Sequence, residues 1–178
     1  MRVCLDPGHG GRDMGASAVA DRYEKESNLR CAFLLRTQLD EMGAGVLLTR
    51  SDDRDLTLAE RADLANRWLA DVFISLHADW APNLAAQGHH AIHSVFSSRG
   101  QGSNRLARFL VDHLTEMTGR DPWPRGDRGI WSRWNRAGDA DYYGVIRMTQ
   151  MPAVILERGF LSNAEDADLL FDDSSLQM

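Results

Sequence analysis

Three short apolar runs, each leading to a residue that can bind a metal or carry a proton, constrain this chain more than anything else in it. Arg2-Val3-Cys4-Leu5 leads into Asp6-Pro7-Gly8-His9-Gly10-Gly11. Asp71-Val72-Phe73-Ile74-Ser75-Leu76 delivers His77, and Ala153-Val154-Ile155-Leu156 delivers Glu157. Short apolar runs bounded by turn residues read as buried strands. Pro7 and Gly8 stop the first of them, and Gly10-Gly11 let the backbone turn sharply away from His9. Parallel neighbours ending this way would project all three side chains from one edge of a sheet, the edge at which open α/β sheets bind ligands.

The segments between these strands carry helical signals. Leu29, Ala32, Leu35, Leu39 and Met42 recur at three or four residues, which predicts a helix over 27–42 that ends at Gly43. Val46-Leu47-Leu48-Thr49 follows as a strand. Thr57-Leu58-Ala59-Glu60 matches a capping box that opens a helix with Leu58, Ala62, Ala65 and Leu69 on one face. Residues 91–96 read as a strand. Ser103 reads as the cap of a helix carrying Leu106, Leu110, Leu114 and Met117, and Ser162 with Glu165 as a capping box for a last short helix. Alternating strands and helices predict one α/β domain, a mostly parallel twisted sheet flanked by helices, with its active site at the carboxyl ends of the strands.

Composition narrows the functional classes. Hydrophobic residues make up 43% and charged residues 26% of the 178, as in an ordinary globular domain. The net charge of −6 argues against nonspecific binding to nucleic acid. No apolar run approaches the ~20 residues of a membrane span. The opening residues carry no secretory signal, because Asp6 ends the first apolar run. Cys4 and Cys31 read as buried residues of a strand and a helix face, not as a disulfide framework.

Imidazole and carboxylate together suit zinc, and a hydrolytic zinc site uses three protein ligands. His9 and His77 supply two; either Glu157 or Glu24, the latter placed just before the first long helix, can supply the third. The remaining glutamate would serve as general base. Spacing leaves the two assignments open.

Four segments in order resemble the zinc-dependent N-acetylmuramoyl-L-alanine amidases of the amidase-3 family. They are Asp6-Pro7-Gly8-His9-Gly10-Gly11, Glu24-Lys25-Glu26-Ser27-Asn28-Leu29, Phe73-Ile74-Ser75-Leu76-His77-Ala78-Asp79 and the stretch from Met151 to Asn163. Leu48-Thr49-Arg50 and the segment 61–66 fit as well. The resemblance implies that His9, Glu24 and His77 bind Zn2+ and that Glu157 is the catalytic base. It implies peptidoglycan as substrate, cut between N-acetylmuramic acid and L-alanine by a monomeric enzyme acting on the cell wall. A phage endolysin, a mother-cell lytic enzyme or a domain excised from an exported precursor would each fit the missing signal. Asp79 and Glu26-Ser27 depart from the family pattern at positions that are not inferred ligands. The resemblance spans residues 1–178 as a catalytic domain, with the family's last helix and any wall-binding module expected to be missing. A zinc peptidase acting on wall stem peptides and a non-catalytic wall-binding module are the competing readings; the second should have lost a ligand or the base, and all four residues are present.

Among the remaining signals, His89 and His93 would share a strand face but lack a carboxylate or cysteine neighbour, so they read as surface histidines. His113 reads as structural and Trp68 as core. Trp123, Trp131 and Trp134 lie among Arg120, Arg125, Arg128, Arg133 and Arg136, a basic aromatic segment suited to the carboxylates of a stem peptide.

Overall fold

A computed structural model describes residues 1–17 and 21–172. In chain order the elements are β1 (Arg2–Pro7), α1 (Glu24–Glu41), β2 (Gly45–Leu48), α2 (Leu58–Trp68), β3 (Val72–Asp79) and β4 (His90–His93). There follow α3 (Ser97–Thr118), β5 (Ile130–Trp131), α4 (Gly144–Met148), β6 (Ala153–Phe160) and α5 (Ala164–Phe171). The strands form one sheet in the order β2-β1-β3-β6-β4-β5. Every pairing is parallel except β4 with β6. The sheet is thus mostly parallel, and its helices cover both faces, as the alternation of elements predicts.

Side-chain alternation along each strand divides the core in two. On one face Val3, Leu5, Ile74, Leu76, Val154 and Leu156 pack against Cys31 and Ala32 of α1 and Ala107 and Val111 of α3. On the other, Cys4, Phe73, Ile92, Ala153 and Ile155 pack against Ala65 of α2 and Val145 and Ile146 of α4, with Trp68 alongside. Phe73 and Leu5 are 0% exposed. Burying such side chains stabilises the fold by about 1.5–3 kcal/mol each. Both cysteines are buried and free.

Several boundaries differ from those predicted. Helix α1 begins at Glu24, so this residue is part of the helix rather than of the loop before it. Its first amides are held by Ala16 O at 2.9 Å and Met14 O at 3.3 Å, and Glu24 and Glu26 complement the helix dipole there. None of this leaves an apolar repeat. Strands β3 and β6 continue through His77 and Glu157 instead of stopping at them. Helix α3 begins at Ser97, six residues before the predicted cap; Ser103 lies inside it, and its Oγ accepts the Ala153 amide at 3.0 Å. Strand β4 covers only residues 90–93. Helix α5 is capped by Asn163, whose Oδ1 accepts the Glu165 and Asp166 amides, both at 3.1 Å; Ser162 instead accepts the Ala81 amide. The short β5 and α4 had no sequence signal, being too brief for a period to show. The residues past 172, on which the expectation of a missing last helix bears, lie outside the described residues. No described helix is long and apolar enough to cross a membrane.

Candidate active site

His77 and Glu157 are register partners on β3 and β6, so their side chains stand side by side on the α2/α4 face of the sheet. His90, the first residue of β4, is the partner of Glu157 on its other side. His9 follows β1, and Glu24 opens α1 above the same edge.

The Glu24 carboxylate lies between the two imidazoles. Its Oε2 is 3.0 Å from His9 Nε2, and its Oε1 is 2.9 Å from His77 Nδ1. The Ala16 amide donates to Oε2 at 2.8 Å; the Ala78 amide and Asn28 Nδ2 donate to Oε1 at 3.0 and 3.2 Å. Three donor atoms, one each from His9, Glu24 and His77, lie within 4.8 Å of one another. The three atoms are thus close enough for one zinc ion to be held among them. Two imidazole nitrogens and a buried carboxylate are also the chemistry zinc takes, the ion replacing the protons the imidazoles hold without it, so the residues present fit the ion. Asp13 Oδ2 sits 2.8 Å from the outer nitrogen of His9, in the place of an orienting carboxylate behind a ligand.

Electrostatics reinforce the cluster. Burial would raise the Glu24 carboxyl, but the bonds from His77 and His9 win and hold it well below the usual range. Burial opposes charge on His77, yet Glu24 outweighs it and lifts the imidazole to about 9; His9 is raised by the same balance. Glu157 behaves oppositely. Burial is the largest effect on it and pushes it up to about 7, with the His77 charge pulling down and Glu24 and Asp79 pushing up. Its Oε2 is buried without a hydrogen-bond partner among the described residues. A carboxylate with an uncommitted oxygen and a pKa near neutrality suits proton transfer.

Close approach is built into the backbone. A Cβ on Gly8 would lie 2.2 Å from His77 Cε1, and one on Gly15 would lie 2.5 Å from Glu24 Oε2. His9 itself holds a left-handed φ of 60°, unusual for a residue with a side chain. Two buried arginines hold that strained loop. Arg61 donates to Asp6 Oδ1 at 2.9 Å, to Pro7 O at 2.8 Å and to His9 O at 2.8 Å. Arg50 donates to Pro7 O at 2.9 Å, Gly8 O at 3.0 Å and Lys25 O at 2.8 Å, tying the His9 loop to the start of α1. Asp6 also accepts from Thr49 Oγ1 and Ser75 Oγ, both at 2.6 Å. The sequence reading assigned none of these residues a role. Arg50 and Arg61 fall in segments that fit the family pattern, but nothing in the sequence marks them as holding the His9 loop.

All four predicted site residues are therefore brought to one edge. His89, just before β4, and His90 and His93 of β4 are not part of the metal-capable cluster, and the surface reading of His89 is overturned. His89 and His90 are 2% and 1% exposed. His89 Nε2 meets Val111 O and Thr115 Oγ1, while His90 bridges Asp79 Oδ2 and Trp131 Nε1. Asp79 thus has a defined partner. His113 stacks on Phe109 in α3.

The family model for N-acetylmuramoyl-L-alanine amidase, Amidase_3, matches residues 3–178. The chain belongs to that family. As an amidase of this type it is a hydrolase, and one relative, LytH of Staphylococcus aureus, is by name a probable cell wall amidase. It is 30% identical to the N-acetylmuramoyl-L-alanine amidase CwlM of Bacillus licheniformis, over 99% of this chain and 63% of that protein. It is 35% identical to the uncharacterized protein YqiI of Bacillus subtilis, over 94% of this chain and 74% of that one. The amidase fold matches the catalytic domain of CwlV from Bacillus (Paenibacillus) polymyxa with a TM-score of 0.82 and 34% identity, covering 99% of this chain and 89% of that domain.

Proposed function

We propose that the chain is a zinc-dependent hydrolase that cuts the amide between the lactyl group of N-acetylmuramic acid and L-alanine in peptidoglycan. His9, Glu24 and His77 hold the zinc, and Glu157 carries the proton. The observation behind this reading is the convergence of three metal-competent donors beside a glutamate with an uncommitted oxygen. When bound, zinc supplies Lewis-acid activation of water and of the scissile carbonyl. Glu157, ionised, accepts a proton from the attacking water as oxygen adds to the carbonyl carbon. It then returns the proton to the alanine nitrogen as the C–N bond breaks, which leaves a lactyl carboxylate and a free amino terminus. Asp13, Asn28 and the Ala16 and Ala78 amides keep the ligand side chains in place, so little reorganisation accompanies binding. The membership of the family and the name of CwlM support this bond over a stem-peptide bond.

The test compares two glutamine variants. Glu157→Gln keeps stoichiometric zinc and loses roughly 10²–10⁴-fold in turnover, the usual worth of a positioned base. Glu24→Gln loses zinc affinity, and added zinc restores part of its activity. Mass spectrometry of digested peptidoglycan releases intact stem peptides beginning with L-alanine. Zinc lost from the first variant and kept by the second would reverse the roles; fragments cut within the stem would make the protein a peptidase.

A further inference from the structure

Because β4 runs antiparallel to β6, its first residue lies at the carboxyl ends of β3 and β6, and so does the first residue of its parallel partner β5. The irregular segment between α3 and α4 therefore arrives beside Glu157. Trp123 lies tilted 5.0 Å from His90 and edge-on 5.3 Å from Phe160, and Trp131 donates its indole N–H to His90 Nδ1 at 3.1 Å. The Arg125 guanidinium lies 3.8 Å above the Trp131 ring and 5.4 Å from that of Trp123. Arg133 lies 3.8 Å above Tyr142, whose amide donates to Arg133 O at 2.9 Å. Tyr142 packs on Tyr143, and Tyr143 on Trp131, at 5.0 and 6.1 Å between ring centres. Asp141, 2% exposed, fixes this turn by accepting from Ser94 Oγ and the Val95 amide.

The other arginines of the segment behave differently. Arg120 pairs with Asp166 at 2.7 Å, and Arg128 reaches Asp112 at 4.0 Å. Among the described residues, neither Arg125 nor Arg133 has a carboxylate within ion-pair distance. Both are exposed, and each guanidinium lies over an aromatic face; Arg133 also bonds the Tyr143 phenol, and the remaining N–H groups of the pair are available to a planar anion. The Tyr143 phenol is raised by burial first and by the Glu157 charge second, with Arg133 and Arg125 pulling it down. All four groups share one electrostatic neighbourhood.

We infer that Arg125 and Arg133 form a carboxylate-binding subsite that recognises an acidic group of the stem peptide on the leaving-amine side of the scissile bond. This inference rests on the amidase reading above. The aromatic platform holds the two cations beside Glu157 without neutralising them, and a bidentate guanidinium selects a carboxylate over its amide. Arg128, paired at the surface, takes no part.

The experiment uses N-acetylmuramoyl dipeptides whose second residue is D-glutamate or its α-amide, and a tripeptide ending in diaminopimelate, free or amidated. The wild-type protein prefers each free acid that the pair contacts. In Arg125→Gln/Arg133→Gln the ratio of kcat/KM for acid over amide falls about tenfold or more, chiefly through KM, as expected for losing a charge-assisted contact. The dipeptide and tripeptide arms distinguish which carboxylate is read. Arg128→Gln leaves the ratio unaltered. Binding of the same ligands to Glu157→Gln, followed by tryptophan fluorescence from the Trp123 and Trp131 platform, repeats the comparison without turnover. An acid-over-amide ratio that is unchanged in the double variant, in turnover and in binding, overturns the subsite. Wild-type protein that binds the acids selectively but cleaves none of them overturns the amidase reading alone.

Discussion

Arg61 forms a buried ion pair beside the site, and its removal has a calculable consequence. Its guanidinium is 5% exposed and its partner Asp6 1% exposed. Arg61→Ala removes the charge opposite Asp6 and the donors to Pro7 O and His9 O. Asp6 keeps its bonds from Thr49 and Ser75, but these are neutral donors. Breaking a buried pair from one side costs about 3–5 kcal/mol, because the remaining charge stays buried. For a chain of this size that lowers the melting temperature by roughly 6–20 °C. The left-handed backbone of His9 loses its anchor at the same time, so zinc affinity falls with stability. Urea unfolding of the chelated protein gives the first quantity and chelator competition the second. A cycle pairing Asp6→Asn with Arg61→Met should give a coupling energy of about 1–3 kcal/mol. A cost below about 1 kcal/mol for Arg61→Ala, the value typical of exposed pairs, would refute the reasoning.

Further outcomes follow from other parts of the site. The folded-state pKa of Glu157, raised to about 7 from 4.5, means that the metal-free fold binds this proton more tightly than the unfolded chain. Its contribution is full below about pH 4.5 and is lost as pH rises through 7, so chelated Glu157→Gln should exceed wild type by about 1–3 kcal/mol at pH 8 and match it at pH 4 in urea melts. Gly8→Ala pushes a methyl into the His77 ring and should weaken zinc binding 10–100-fold by chelator competition, with the far-ultraviolet circular dichroism spectrum preserved. Asn163→Ala should cost about 1 kcal/mol in urea unfolding as the lost cap of α5.

The architecture was legible because every strand that matters is a short apolar run ending in a turn or a titratable residue. Glu24, His9 and His77 were legible as chemistry and, through the motifs, as a set. What spacing left open was which glutamate faces the histidines, since that depends on a helix start with no apolar period. The carbonyl-binding arginines were not legible. An arginine at 2% exposure, like Arg50, is recognisable only when the loop it grips is seen folded over it. The histidines at the start of β4 misled for the converse reason. Polar side chains normally report surface, and Trp131, Asp79, Val111 and Thr115, far from these histidines in sequence, supply the partners that let His89 and His90 be buried.

The reversal of β4 has an evolutionary reach. The candidate metal ligands lie on the loop after β1, on α1 and on β3, while the neighbouring rim is supplied by a separate stretch between Gly119 and Tyr143. That stretch joins the sheet through β5, which pairs with β4 and is one strand removed from the β3–β6 register that sets His77 beside Glu157. Diversification of wall chemistry among bacteria would then select changes on one side of Glu157 only, and chimeras exchanging this stretch should trade substrate preference while keeping their metal.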